Sequence, residues 1–91
     1  MTDSIKEILE IFDQNREYEF DYNGKFYHFE PDENGYSLWE FPAVRKISYE
    51  QKLEGKKIAA AKSGEEILGI KCFNGKTYVE IDKEITNGIF F

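Results

Sequence analysis

The first helix is predicted from the spacing of apolar residues near the start of the chain. They recur at the i, i+3, i+4 and i+7 positions of one helical face, as Ile5, Ile8, Leu9 and Phe12. Ser4 and Glu7 have the spacing of a capping box, and Asn15 tolerates the left-handed conformation that often ends a helix. We therefore predict an amphipathic helix over residues 4–14.

Residues 17–30 alternate between polar and apolar side chains on either side of Asn23-Gly24. Asn-Gly is a strong signal for a two-residue hairpin turn because both of its positions require positive φ. The turn fixes a register that places five aromatic residues on the face covering the helix: Tyr18, Phe20, Tyr22, Tyr27 and Phe29. The opposite face is predicted to be acidic and solvated. Its members are Glu17, Glu19, Asp21, Phe26, His28 and Glu30, with Glu19 across from His28 and Glu17 across from Glu30.

A third strand is predicted over Tyr36–Phe41, where alternation resumes after the turn-rich residues 31–35. It stops at Pro42, which cannot donate a hydrogen bond to a neighbouring strand. The loop does not fix the register, so either Trp39 and Phe41 or the smaller pair, Tyr36 and Leu38, could face the helix. We expect the larger pair to do so.

The second half of the chain repeats the spacing of a capping box, which predicts three short helices. The spacing occurs at Ser48 with Gln51, at Ser63 with Glu66, and at Thr77 with Glu80. The helix that begins after Ser48 could extend through Ala59–Ala61. The last is expected to run from Tyr78 to Ile85 and to end at Asn87-Gly88.

Asn74-Gly75 provides an alternative, a second hairpin in place of the helices of residues 67–85. That hairpin would pair Leu68, Ile70 and Cys72 with Thr77, Val79 and Ile81. We favour the helices. Both alternatives leave the fold class unchanged.

Together these elements predict a single α+β domain over residues 1–91, with an N-terminal helix on a three-stranded antiparallel meander followed by short helices. An aromatic content of 16% supplies much buried area, so disorder is not expected.

The first residues are acidic and no apolar run could cross a bilayer, so we expect a cytoplasmic protein without membrane contact. Cys72 is the only cysteine, which leaves no internal disulfide and no cysteine-based zinc site.

The charge of the chain is negative and unevenly distributed. The formal net charge is -6, and residues 1–42 hold 11 acids against three bases. Direct binding of nucleic acid depends on lysine and arginine displacing counterions from phosphates, so we do not expect it. A solvated acidic surface, or a surface shaped for a basic protein partner, fits this charge better.

The sequence contains few residues in patterns typical of a catalytic site or of a bound cofactor. His28 is the only histidine, and the expected surface position beside Glu19 offers it no nucleophile. Cys72 is expected to be a partly buried apolar residue, and the residues of 32–34 lack the ligand spacing of a dedicated calcium site. We therefore predict a protein that is not an enzyme and that has no catalytic residue, cofactor or metal.

Two features favour binding to another protein. The first is a group of acids on or near the hairpin, which a partner's lysines and arginines would neutralise: Glu17, Glu19, Asp21, Glu30, Asp32, Glu33 and Glu40. The second is the apolar sequence Ile89-Phe90-Phe91, which should fold back on the core or bury against another chain. We favour folding back, with a homodimer contact as the alternative.

The chain resembles the small acidic anti-CRISPR proteins of phages, particularly those that inhibit Cas9. The features that carry the resemblance are the helix of Ser4 to Asn15, the meander of Tyr18 to Phe41 and the acids Glu17, Glu19, Asp21 and Glu30. The resemblance implies a non-enzymatic inhibitor whose carboxylates occupy the basic groove of a nuclease and exclude nucleic acid. The lysines of the second half confine such mimicry to one face.

Two other classes of protein fit the same features. A cytoplasmic immunity or antitoxin protein would also be small, acidic and free of catalysis, but would block the active site of one toxin. A structural or regulatory homo-oligomer would assemble through Ile89, Phe90 and Phe91.

Overall fold

A computed structural model describes residues 3–41 and 55–91 of the protein. The helices are α1 (Asp3–Asp13), α2 (Gly64–Leu68) and α3 (Tyr78–Ile81), and α3 continues into a 3-10 turn over Asp82–Glu84. The strands are β1 (Tyr18–Tyr22), β2 (Lys25–Asp32), β3 (Gly35–Phe41), β4 (Lys56–Ala61) and β5 (Thr86–Phe90). None of the helices in these ranges is long and apolar enough to cross a membrane.

The five strands form one antiparallel sheet in the order β4-β3-β2-β1-β5. The predicted α+β class and the meander of β1, β2 and β3 are confirmed. The meander is extended by a strand on each side, which the sequence pattern did not predict. Apolar residues of α1, α2 and α3 pack with one face of the sheet into a single core.

Helix α1 buries the stripe predicted from its spacing, since Ile5, Ile8 and Phe12 are almost fully buried. Asn15 ends the helix with a φ of 55°, as expected. The predicted capping box is wrong, however. The helix already includes Asp3, so Ser4 lies inside it, and the Ser4 Oγ donates to Asp82 Oδ1 at 3.1 Å. Ser4 thereby ties α1 to the 3-10 turn instead of capping its own helix.

The hairpin of β1 and β2 has the predicted register. Asn23 and Gly24 adopt positive φ of 51° and 78°, and Tyr22 stands opposite Lys25. The pairs that follow put the five predicted aromatic side chains on the core face, where Tyr18, Phe20, Tyr27 and Phe29 are buried and Tyr22 is half-buried. A two-residue turn was sufficient to predict this part of the fold.

The predicted orientation of β3 is wrong. Tyr36 and Leu38, not Trp39 and Phe41, belong to the core beneath α1. The turn after β2 is tight, with Asp32 opposite Gly35, so Leu38 stands across from Phe29 on the core face. The Tyr36 ring lies 4.3 Å from that of Phe12, and its hydroxyl contacts the backbone oxygen of Phe12 at 2.9 Å.

The helix predicted after Ser48 falls largely on residues 42–54, outside the described residues. Its suggested extension through Ala59–Ala61 is wrong, because these alanines belong to β4 and stand opposite Leu38, Ser37 and Tyr36. The two later capping signals are confirmed. Ser63 accepts from the Glu66 backbone N–H, and Thr77 forms a complete capping box with Glu80.

Around Asn74-Gly75 the helical prediction is confirmed and the hairpin alternative is not. Asn74 and Gly75 form a tight turn with positive φ, but it is flanked only by an isolated bridge between Phe73 and Lys76. Helix α3 follows and buries Tyr78 and Ile81, yet it stops at Ile81 instead of reaching Ile85.

Residues 86–90 form strand β5, where the sequence predicted the end of a helix at Asn87-Gly88. The strand pairs with β1, with Phe90 opposite Tyr18 and Ile89 opposite Glu19. The prediction that the apolar sequence 89–91 folds back on the core is therefore confirmed for Phe90, whereas Ile89 and Phe91 stay exposed. The segment folds back by adding an edge strand to the sheet.

Aromatic rings fill the centre of the core between the sheet and α3. Tyr78 is fully buried, and its ring meets those of Phe20 and Phe29 at 5.2 and 5.7 Å. Its hydroxyl lies 2.9 Å from that of Tyr18, so each of these buried polar groups has a partner. This pair joins α3 to β1 within the core.

A pair of glycine substitutions tests the tight turn that sets the register of β3. Gly35 has a φ of 143°, and a Cβ there would lie 2.3 Å from the Ala61 carbonyl oxygen. Gly24 also has positive φ, but a Cβ there would have no neighbour within 4 Å. In urea unfolding, we expect Gly24→Ala to lower the free energy of unfolding by about 1 kcal/mol. We expect Gly35→Ala to lower it by more than about 3 kcal/mol. Equal losses would contradict the close approach of β3 and β4.

The buried tyrosine pair predicts a loss of stability in alkali. Burial raises the pKa of Tyr18 to about 12 and also raises the pKa of Tyr78. Because the unfolded tyrosines ionise near pH 10, their contribution is complete below about pH 10 and is lost as the pH rises towards about 12. We expect the urea midpoint to fall from about pH 9 to about pH 11, with tyrosinate absorbance rising as the protein unfolds. Ionisation of all six tyrosines near pH 10 in a protein that stays folded would contradict the burial of this pair.

Candidate functional site

The candidate site lies on the side of the sheet opposite α1, which we call the outer face. Alternate residues of the three meander strands define it: Glu19, Asp21, Phe26, His28, Glu30, Ser37, Trp39 and Phe41. We expected its hairpin part to be solvated, and this is wrong. Glu19 and His28 are each only 7% exposed, and Phe26 is 3% exposed.

Aromatic side chains from neighbouring strands account for part of this burial. Phe26 stands opposite Phe41, and their rings stack at 4.7 Å. His28 lies between Glu19 on β1 and Trp39 on β3, and the Phe91 ring stacks on its imidazole at 6.4 Å. The register of β3 that puts Leu38 into the core thus puts Trp39 and Phe41 on the outer face.

Glu17, His28 and Glu30 form a compact group that we call the carboxylate–histidine cluster. His28 and Glu30 are two residues apart on β2 and therefore share a face, while Glu17 precedes β1. The His28 Nε2 lies 2.6 Å from Glu17 Oε1, and one ligand atom from each residue falls within 4.8 Å of the others. The imidazole is nine-tenths buried, whereas the Glu17 side chain is 44% exposed.

The cluster is not neutralised by a basic side chain of the described part of the chain. Within residues 3–41 and 55–91, no lysine or arginine forms an ion pair with Glu17 or Glu30. Arg16 is adjacent in sequence, but its guanidinium donates to the Phe91 carbonyl oxygen at 2.8 Å. Two carboxylates therefore converge on one imidazole, with the buried Glu19 beside it in the ladder.

The predicted acidic surface is only partly brought together. Glu17 and Glu30 meet in the cluster, and Asp32 and Glu33 follow at the end of β2. Asp13 lies beside this group at the end of α1, because the Tyr36 hydroxyl donates to the backbone oxygens of Phe12 and Arg16, the chain neighbours of Asp13 and Glu17. Burial raises the pKa of Tyr36 to about 12, and the charges of Asp13 and Glu17 contribute to this increase. We call these five residues the acidic end: Asp13, Glu17, Glu30, Asp32 and Glu33.

The other predicted acids lie elsewhere. Glu19 is buried. Asp21 lies towards the opposite end of β1, where its Oδ2 accepts from the Asn87 side chain at 2.7 Å. Glu40 points to the core side of the sheet and accepts from the Tyr27 hydroxyl and from Lys25. These three residues are therefore not part of one surface with the acidic end.

Asp32 serves first as the cap of a turn. Its carboxylate accepts from the Asn34 backbone N–H at 2.8 Å and from the Ser37 hydroxyl. The hydrogen bond from Ser37 is the main reason that the pKa of Asp32 lies below its usual value. Asp32 therefore stays ionised and adds a fixed negative charge beside Glu33.

A cavity of about 420 Å³ opens beside the acidic end, between the end of α1, the start of β3 and the start of α2. Leu9, Phe12 and Tyr36 supply apolar wall, and Asp13, Lys62 and Glu65 supply charge. An open hollow with apolar walls and a carboxylate at its rim can receive the side chain of a bound molecule.

The apolar residues 89–91 and Cys72 occupy different environments. Phe90 packs on Tyr18 at 4.8 Å between ring centres, while Ile89 and Phe91 remain 44% and 54% exposed. Of the three candidate oligomer contacts, Ile89 and Phe91 are therefore available on the surface. Burial raises the pKa of the half-buried Cys72 thiol, which makes it a poor nucleophile at neutral pH.

A scan against protein-family models and searches of curated proteins and of solved structures find no match to this chain.

The sequence predicted the neighbours of His28 only in part. The hairpin register correctly placed Glu19 across from His28, but the hydrogen bond goes to Glu17. Glu17 was expected to face Glu30 as a ladder pair, whereas the paired residues of β1 begin at Tyr18. The available signal was a histidine and a glutamate two residues apart on β2, with a further glutamate just before β1.

A charge-neutralising substitution tests the convergence of carboxylates in the cluster. Like charges on adjacent strands oppose folding, so Glu30→Gln should raise the free energy of unfolding by about 0.5 kcal/mol in low-salt buffer with a chelator. The gain should shrink as salt screens the repulsion. Glu33→Gln, in the exposed turn, is the matched control and should have no comparable effect. Destabilisation by Glu30→Gln under these conditions would contradict the predicted repulsion.

Proposed function

We propose that the protein is a non-enzymatic, protein-binding inhibitor whose acidic end occupies a basic, nucleic-acid-binding site on its target. The observation that carries this proposal is the gathering of five carboxylates at one end of the sheet. Within residues 3–41 and 55–91, no lysine or arginine forms an ion pair with any of the five. Such a surface repels nucleic acid and attracts a basic protein.

The shape of the acidic end supports a protein partner. Glu33 projects from the turn after β2, Asp13 ends α1, and the cavity lies beside Asp13. A lysine or arginine of the partner could place its apolar stem against Leu9 and Tyr36 and its charged head near Asp13 or Glu65, since these two carboxylates outnumber Lys62, the one basic residue of the lining. Charged rims around a small apolar contact give fast, specific association.

The titratable groups outside the acidic end favour binding over catalysis. Burial raises the pKa of the Cys72 thiol and of Tyr18, Tyr27 and Tyr78, which keeps these potential nucleophiles protonated at neutral pH. Protonated hydroxyls in an aromatic core hold structure together. A protein of this kind would act by occupying a surface rather than by changing a substrate.

The proposal follows the resemblance to acidic anti-CRISPR proteins but changes the surface involved. Glu19, Asp21 and Glu40 leave the candidate set because they are buried or bonded elsewhere, and Asp13 enters it. The mimicry would thus be confined to one end of the molecule. An immunity protein would use the same kind of surface against a toxin, and the identity of the captured protein separates the two.

A charge-reversal pair tests the acidic end without touching the cluster. Asp13→Lys with Glu33→Lys alters two exposed positions, and a base at the end of α1 favours the helix dipole. Glu10→Lys with Glu84→Lys changes the net charge equally at exposed sites elsewhere. We expect the native protein and the control to retain a nucleic-acid-binding protein from bacterial lysate, and the Asp13, Glu33 variant to lose it.

Two further measurements make the result specific. Added duplex DNA should displace the captured protein, since it competes for the same basic site, and moderate salt should weaken capture. Retention that survives charge reversal would overturn the proposal, as would a captured protein that DNA does not displace. Capture only of further copies of this chain would point instead to Ile89 and Phe91.

A further inference from the structure

The carboxylate–histidine cluster has the ligand types of a metal site, and the proposed function does not require a metal. We propose that Glu17, His28 and Glu30 bind a divalent transition-metal ion, for which Zn²⁺ is the best fit. The inference goes beyond the binding of a protein partner and depends only on the geometry of the outer face.

The donor set suits such an ion. One imidazole nitrogen and two carboxylate oxygens make a three-ligand site of the kind that zinc accepts, with a remaining position for water. Calcium prefers six to eight oxygen ligands, and magnesium keeps most of its own water. A site that contains a nitrogen and only two carboxylates is therefore selective against both.

The distances allow the site to close around an ion. Zinc bonds to nitrogen and oxygen of about 2.0–2.2 Å place neighbouring ligand atoms roughly 3.4 Å apart. Here the Nε2 of His28 already lies 2.6 Å from Glu17 Oε1, and the three ligand atoms all lie within 4.8 Å of one another. A small rotation of the half-exposed Glu17 side chain would open room for the ion, and Glu30 would approach it.

The imidazole is held in place while the carboxylates can adjust. His28 is nine-tenths buried on a central strand and is flanked in the ladder by Glu19 and Trp39, and the Phe91 ring lies nearly parallel to it with the ring centres 6.4 Å apart. A fixed nitrogen ligand reduces the ordering that metal binding requires. The exposed side of Glu17 gives the ion a path from solvent.

The charge around the cluster favours a cation. Glu17, Glu30 and the buried Glu19 surround one imidazole on the outer face. No lysine or arginine of the described ranges pairs with Glu17 or Glu30. A divalent ion bound between the His28 imidazole and the two carboxylates would offset the repulsion between those carboxylates.

Calorimetric titration of the native protein with zinc chloride tests the site directly. We expect one ion per chain, because the three ligand atoms form a single site. Glu17→Gln and Glu30→Gln should each weaken binding by at least about tenfold. Glu10→Gln, an exposed glutamate on α1, should leave the affinity unchanged.

The single histidine supplies a second readout. Zinc bound only to surface carboxylates would leave the His28 signals unchanged. On titration with zinc, the side-chain nitrogen signals of His28 should shift with one end point, and Nε2 should move more than Nδ1. Added zinc should also raise the melting temperature of the native protein by more than that of Glu30→Gln. Since we expect Glu30→Gln to be the more stable of the two in chelator, zinc should reverse their order.

Three outcomes would overturn the inference. The first is equal binding by the native protein and by Glu17→Gln and Glu30→Gln. The second is an unchanged His28 signal at saturating zinc. The third is displacement of the zinc by calcium at similar concentration, which would indicate an adventitious ion on surface carboxylates. None of these measurements includes a protein partner, so failure here leaves the test of the proposed function intact.

Discussion

The register of the β1–β2 hairpin is the constraint on which the rest of the molecule depends. Asn23 and Gly24 fix it by adopting positive φ in a two-residue turn. One register assigns the large aromatic side chains to the core and their polar neighbours to the outer face. Since the side-chain period is two, a slip by one residue would place His28 and Glu30 in the core and expose Tyr27 and Phe29.

The sequence was informative where local chemistry decides the structure. The Asn23-Gly24 turn, the apolar stripe of α1 and the caps at Ser63 and Thr77 each act over a few residues, and each was predicted correctly. Prediction failed where a distant strand decides. The orientation of β3 depends on the tight turn at Asp32 and Gly35, and the strand conformation of residues 86–90 depends on pairing with β1.

The burial of the outer face was missed for a related reason. Alternation with acids normally indicates a solvated face, and Glu19 and His28 were interpreted in this way. The side chains that help to cover them come from β3 and from Phe91, far away in sequence. The candidate site could therefore be predicted in composition, as a group of acids near one histidine. Its burial could not, because that required the positions of Trp39 on β3 and of Phe91.

The two proposals share Glu17 and Glu30, and this makes them interdependent. A bound divalent ion would cancel the charge of both carboxylates, which leaves Asp13, Asp32 and Glu33 to attract a basic partner. Metal binding would then lower the affinity for a partner whose lysines or arginines contact the cluster. It would raise the affinity for a partner that supplies a ligand to the open metal position. By linkage the partner would change metal affinity by the same factor, so the sign of the coupling reveals whether the target touches the cluster.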